Sequence, residues 1–118
     1  MLTTISLYTG AGGLDLGLES AGFKTTVGVD FNKWACATIN HNRPNWNIQH
    51  RDIHDLSSEE VADIGGFCSD GPDLLIGGPP CQPFSKSAFW SKGSTKRLDD
   101  PRSDTLTAYL RVLRDLKP

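Results

Sequence analysis

Residues 4–30 read TISLYTGAGGLDLGLESAGFKTTVGVD, and the fold class follows from this stretch. Thr4–Tyr8 is apolar and β-branched enough for a short buried strand. Thr9-Gly10-Ala11-Gly12-Gly13 breaks it with a glycine-rich turn. Leu14, Leu18 and Ala21 then recur at helical spacing, and Gly22 sits where a left-handed residue closes a helix. Thr25–Val29 is again β-branched and ends on Asp30. Strand, glycine turn, helix, strand is the unit from which parallel sheets are built.

The same alternation continues outward. Phe31 to Asn42 is predicted helical and stops before Pro44. Trp46–His50 is a third strand ending near Asp52. Ser57-Ser58-Glu59-Glu60 has the pattern of a capping box ahead of Val61 and Ile64. Asp73–Gly77 is an apolar fourth strand, halted by Gly78-Pro79-Pro80. Residues 82–102 are polar and read as a long loop of the kind usually tied to function. Asp104–Leu116 is an amphipathic helix with Leu106, Tyr109, Leu110 and Leu113 on one face. The expected architecture is α/β, a doubly wound Rossmann-like sheet of about four parallel strands, incomplete because another strand is due after the last helix.

Composition narrows the functions. The 118 residues are 37% hydrophobic and 22% charged, with a net charge of −2. That suits one globular domain or part of one. No apolar run reaches membrane-spanning length, no basic leader opens the chain, and a cytoplasmic location is expected. A slightly acidic chain touches nucleic acid only through a local patch. The segment 86–102 is such a patch: Lys86, Lys92, Lys96, Arg97 and Arg102 oppose only Asp99 and Asp100. Phe89 and Trp90 within it either stack near a base or pack back on the domain. Cys36, Cys68 and Cys81 form no C-x-x-C pair, so neither a disulfide framework nor a metal site is expected.

The glycine turn followed about twenty residues later by Asp30 points to a ligand carrying a ribose at the carboxyl ends of the strands. A tight connection followed by an unrelated acid remains the alternative on the turn alone. Asp52 adds a second acid at the same edge, able to accept from an exocyclic amine. No Gly-Lys-Ser/Thr follows the turn, which excludes a P-loop. Cys81 is held on a rigid rim by two prolines, where open α/β sheets place their chemistry. Gln82, Ser85 and Lys86 lie close in sequence to support a thiolate. Cys36 and Cys68 read as small buried hydrophobes.

Gly77-Gly78-Pro79-Pro80-Cys81-Gln82-Pro83-Phe84-Ser85 resembles the catalytic motif of the DNA (cytosine-5) methyltransferases. Tyr8-Thr9-Gly10-Ala11-Gly12-Gly13 is similar to that family's first motif, with Tyr for the usual Phe. Asp30-Phe31 and Asp52-Ile53 resemble its ribose- and adenine-binding pairs, and Arg102 to Leu106 its loop-to-helix motif. The resemblance spans nearly the whole chain. It implies S-adenosylmethionine as cofactor, held by Tyr8, Gly10, Gly12, Gly13, Asp30, Phe31, Asp52, Ile53, Gly78, Pro80 and Leu106. It implies Cys81 as the nucleophile that adds to carbon 6 of a flipped cytosine, so that carbon 5 can take the methyl group. Gln82, Ser85, Lys86, Arg97 and Arg102 would face double-stranded DNA, and a tRNA substrate is the variant within the family.

The family's Glu-Asn-Val motif has no counterpart here, since Glu19, Glu59 and Glu60 are the only glutamates. The chain therefore reads as the N-terminal part of a class I methyltransferase domain, 1–118, inactive alone and completed by another segment or by self-association. Two alternatives come from other classes. A nicotinamide-dependent enzyme fits the glycine turn taken alone. A non-catalytic binding module fits the missing glutamate.

Overall fold

A computed structural model describes residues 2–67, 70–79 and 104–118. Its order is β1 (Leu2–Leu7), α1 (Gly13–Ser20), β2 (Phe23–Asp30), α2 (Lys33–Asn42), β3 (Ile48–His50), α3 (Ser58–Ile64), β4 (Leu74–Gly77) and α4 (Asp104–Leu116). Short 3₁₀ turns, Pro44–Trp46 and Ile53–Asp55, precede and follow β3. All pairings are parallel, in the order β3-β2-β1-β4. The expected α/β class holds, with four parallel strands and helices on both faces. The chain direction reverses about β1: two crossovers run one way to β3, and the third returns past β1 to β4. Right-handed crossovers then put α1 and α2 on one face and α3 on the other, where α4 packs beside α3.

The local signals explain these elements. Ser57 caps α3 and exchanges bonds with Glu60, the capping box foreseen from the sequence. Asn32 caps α2 through its side-chain oxygen, bonded by the amides of Trp34 and Ala35. Gly22 adopts φ +97 just past α1, as its C′ position requires. α2 starts two residues later than expected because Asn32 is the cap. The strand expected from Trp46 begins at Ile48 because Pro44–Trp46 coils into a 3₁₀ turn.

The core is two clusters. Ile5, Leu7, Val27, Val29 and Leu75 meet Val61, Ala108 and Val112 beneath α3 and α4. Cys36, Ile39, Trp46 and Ile48 form the smaller one under α2. Between β1 and β2 the register skips Thr26: Thr4 pairs with Thr25, and Ile5 with Val27. This irregularity turns Thr25 to the opposite face from Val27. Thr25 thereby reaches Asp15 of α1, its hydroxyl donating to Oδ1 at 3.2 Å while Ser6 donates to Oδ2 at 3.1 Å.

Two helices are oriented otherwise than their leucines suggest. α1 buries Asp15, at 1% exposure, and leaves Leu14 and Leu16 exposed. α4 buries Ala108 and Val112 and packs Tyr109 and Leu116 on the core, leaving Leu106, Leu110 and Leu113 exposed. Tyr109 thus parts from the three leucines with which it was grouped. Among the described residues β4 pairs only with β1, so its other edge is open, as expected for a fourth strand without a neighbour.

Candidate functional site

The carboxyl ends of β1, β2 and β3 converge on one cleft. β1 leaves the sheet through Tyr8, Gly10 and Gly12, all with positive φ (52, 60 and 88°). Thr9 pins this turn to β2: its amide and hydroxyl both donate to Val29 O, at 3.3 and 3.1 Å. A Cβ added at Gly10 or Gly78 would meet nothing within 4 Å, so these two positions keep backbone open to the cleft. Gly12 serves a different end. Its Cβ position faces Ile39 and Trp46, and the absence of a side chain lets the start of α1 close on the α2 cluster.

Asp30 ends β2 and ties two loops together. Oδ2 accepts the Gly10 amide and Oδ1 the Asn32 amide, each at 2.7 Å. Each oxygen keeps a lone pair for a further donor. Arg51 N donates to Asp30 O at 3.1 Å, adding the β3 loop to the same junction. Asp52 N-caps the 3₁₀ turn after β3, and its Oδ1 accepts both His54 N (2.9 Å) and His54 Nδ1 (2.8 Å). Those bonds, the backbone one foremost, hold the Asp52 carboxyl below the usual carboxylate range.

Tyr8 closes the floor. Its hydroxyl donates to Thr105 O at 2.6 Å, linking the glycine turn to the first turn of α4. Burial, helped by the negative charge of Asp52, pushes its pKa up to about 12, so the phenol stays a donor. The rim is aromatic: Phe31 and Trp34 are 74% and 75% exposed, and the Lys33 ammonium lies 5.3 Å from the Trp34 ring centroid.

The cleft these residues enclose measures about 850 Å³, within the usual range for small-molecule sites. Of the sequence candidates, Tyr8, Gly10, Asp30, Phe31, Asp52 and Gly78 line it together. Gly12, Gly13, Ile53 and Leu106 do not line it. Gly13 starts α1, Ile53 is buried in the main core, and Leu106 lies on the exposed leucine face. Pro80, Cys81, Gln82, Ser85, Lys86, Arg97 and Arg102 lie outside the described residues, as do Cys68 and the basic segment 86–102. Cys36 is buried, and its thiol pKa is raised by that burial, which fits a packing role.

Asn32, Lys33, Trp34, His54 and Thr105 also line the cleft and were not singled out from the sequence. A usable signal existed for four of them. Residues two to four positions after an acid at a strand's carboxyl edge stay at that edge. Thr105 comes from a distant helix and carried no such signal.

The donor set suits an adenosine-like ligand without phosphates. Two carboxylates offer acceptors to hydroxyls and an amine, aromatic faces offer stacking, and the open glycines admit close approach. Among the described residues no group of three or more metal-binding side chains gathers, and no helix is long and apolar enough to cross a membrane.

Comparison with known proteins places the chain in a family. Residues 2–118 match the family model described as C-5 cytosine-specific DNA methylase. The chain is 36% identical to the type II methyltransferase M.SacI of Streptomyces achromogenes, over 99% of this chain and 33% of the relative. It is 40% identical to M.PspPI of a Psychrobacter species, over 97% of this chain and 24% of the relative. Among solved structures, a prophage-encoded protein of E. coli described as a DNA modification methyltransferase superposes with TM-score 0.80 at 30% identity. The match covers all of this chain and 30% of that one. The chain thus spans a third or less of these relatives.

Proposed function

The chain belongs to the C-5 cytosine-specific DNA methylases, and on that premise we propose that it transfers a methyl group from S-adenosylmethionine to carbon 5 of cytosine in double-stranded DNA. It does so as the N-terminal part, residues 1–118, of a larger or split enzyme acting in the cell interior. The observation that carries this reading is the convergence of Asp30 and Asp52 on one aromatic-rimmed cleft, in a chain that also holds Gly-Pro-Pro-Cys at the next strand end.

The cofactor supplies the activated methyl group. Asp30 accepts from the ribose hydroxyls while the Gly10 and Asn32 amides hold its carboxylate in place. Asp52 accepts from the adenine amine, Phe31 flanks the ring, and Gly10 and Gly78 leave room for the remainder. The Cys81 thiolate would add to carbon 6 of the cytosine across the 5,6 double bond, and carbon 5 would take the methyl group as its bond to the sulfonium breaks. Loss of the carbon 5 proton to a base would then expel the thiolate and restore the ring. Gln82, Ser85, Lys86, Arg97 and Arg102 hold the DNA strand around the extruded base. A complementing segment supplies the acid that keeps cytosine N3 protonated, so the chain alone does not turn over. Losing one general acid commonly costs about 10²–10⁴-fold.

The test is methyl transfer from labelled S-adenosylmethionine to DNA. The chain alone is expected to give none. The chain with the rest of a relative's length supplied as a second polypeptide is expected to give turnover, and Cys81→Ser to abolish it. Asp30→Ala is expected to weaken binding of S-adenosylhomocysteine. Binding of NADH in place of the adenosyl compounds would refute the assignment.

A further inference from the structure

The 3₁₀ turn Ile53–Asp55 is gripped from two sides. On the cleft side, His54 directs both its amide and its Nδ1 to a single oxygen of Asp52, Oδ1. On the core side, Arg111 reaches from α4, and its Nη2 donates to Ile53 O at 2.9 Å and to Leu56 O at 2.7 Å. Those carbonyls bracket the turn, and the side chains of both residues are buried. α4 is itself held to the neighbouring loops. Ser58 donates to Asp115 Oδ2 at 2.7 Å, and Tyr8 to Thr105 O. The charges of Asp52 and Arg111 act in opposite senses on the Tyr8 phenol, so both lie within electrostatic reach of the cleft floor.

We propose that His54 and Arg111 are positioning residues that make Asp52 an amine-selective acceptor, so that the cleft takes a 6-amino purine and rejects a 6-oxo purine. The proposal rests on the adenosyl reading of the cleft given above. An ionised carboxylate only accepts. With Oδ1 occupied twice by His54, Oδ2 is the oxygen left for a ligand. A purine amine donates to it, whereas a 6-oxo group sets lone pair against lone pair. Sites built around one polar partner discriminate strongly against an analogue that lacks it, but only while the protein group cannot turn away. Arg111 prevents that by fixing the backbone on which Asp52 sits, and His54 by fixing the carboxylate. Removing Arg111 takes a charged donor from both carbonyls and leaves Ile53 O only the Leu56 amide at 3.2 Å, a loss the turn relieves by shifting.

The experiment titrates the ¹⁵N-labelled chain with S-adenosylhomocysteine and with S-inosylhomocysteine, following amide shifts so that weak binding is still measured. Wild type is expected to prefer the adenosyl compound by about tenfold or more. Arg111→Met and His54→Ala are expected to bring that ratio to about threefold or less, by weakening the adenosyl compound while the inosyl compound binds as before. Arg111→Lys, which keeps a cationic donor, is expected to recover part of the preference. Melting curves accompany each variant. His54 is about half exposed, so its replacement tests the proposal even where Arg111→Met does not fold. A ratio unchanged in folded variants would overturn the positioning role and leave the adenosyl reading intact. A wild-type chain that binds neither compound, or both alike, would overturn the adenosyl reading and this proposal with it.

Discussion

The Tyr8 hydroxyl and the Thr105 carbonyl oxygen meet at 2.6 Å across 97 positions of sequence. The bond joins the glycine turn after β1 to the beginning of α4. A phenylalanine would fill the same space and leave the carbonyl without this donor. Tyr8→Phe is therefore expected to cost about 1 kcal/mol, read as a lower urea midpoint with an unchanged slope. Because folding raises the phenol from 10.0 to about 12, the unfolded chain ionises first. Wild-type stability should fall between pH 10 and 12, and the variant should lack that part of the decline. Parallel curves for the two proteins would sink the argument.

Asp15 carries a second pH dependence. Burial raises its carboxyl above the ordinary 3.8, against the lowering effect of the Ser6 and Thr25 hydroxyls. The folded state keeps the proton to higher pH than the unfolded state does. Its contribution is complete below pH 3.8 and is lost as pH rises through the folded value. Asp15→Asn removes this loss. The variant should gain stability relative to wild type as pH rises above 3.8 in urea titrations. A difference independent of pH would show that Asp15 does not titrate as described.

Two glycines separate packing from propensity. A Cβ at Gly77 would lie 2.6 Å from Leu7 O and 2.8 Å from the Tyr109 ring. The backbone oxygen cannot give way, so Gly77→Ala is expected to destabilise by roughly 2–3 kcal/mol. Gly17 lies within α1 and a Cβ there meets nothing within 4 Å. Gly17→Ala should stabilise by about 0.5–1 kcal/mol. Calorimetric melting of both variants checks the pair, and equal shifts would contradict the contacts.

The leucine face of α4 and the edge of β4 that no described residue pairs predict association. Leu106, Leu110 and Leu113 are 40%, 52% and 40% exposed, and an unpaired apolar edge strand templates further pairing. Sedimentation at micromolar concentration should show oligomers. Leu110→Glu should shift them towards monomer with little change in melting temperature, because that side chain is not in the core. A wild-type monomer would mean the surface is protected in some other way.

What the sequence disclosed depended on the range of the interaction. Ser57 with Glu60, Asn42 ahead of Pro44 and the limits of α4 rest on neighbours within a turn, and these were legible. Asp30 was legible because a strand end fixes where its last residue goes, and Asp52 because the chain two residues past β3 is still at that edge. The facing of α1 was not. A helix of eight residues with leucines at 14, 16 and 18 has no unique apolar stripe, and the skip at Thr26 brought a polar partner to Asp15. Leu106 was expected at the cofactor, yet Thr105 reaches the cleft, because helix rotation is set by Ala108 and Val112 against the sheet. Arg111 left no local trace, since its partners Ile53 and Leu56 are more than fifty positions away.

The junction at Asp30 couples occupancy to folding. The Asp30 carboxylate holds the loops after β1 and β2, and the Asp30 backbone carbonyl receives the loop after β3, so the walls these loops form need three paired strands. A partly unravelled chain would have no residual affinity, and any tenant of the cleft would act as a clamp on the whole sheet. Saturation at a hundred times the dissociation constant would add about 2.7 kcal/mol to its stability. In a cell, the supply of that small molecule would then influence how long the polypeptide escapes proteolysis, independently of any methyl group transferred.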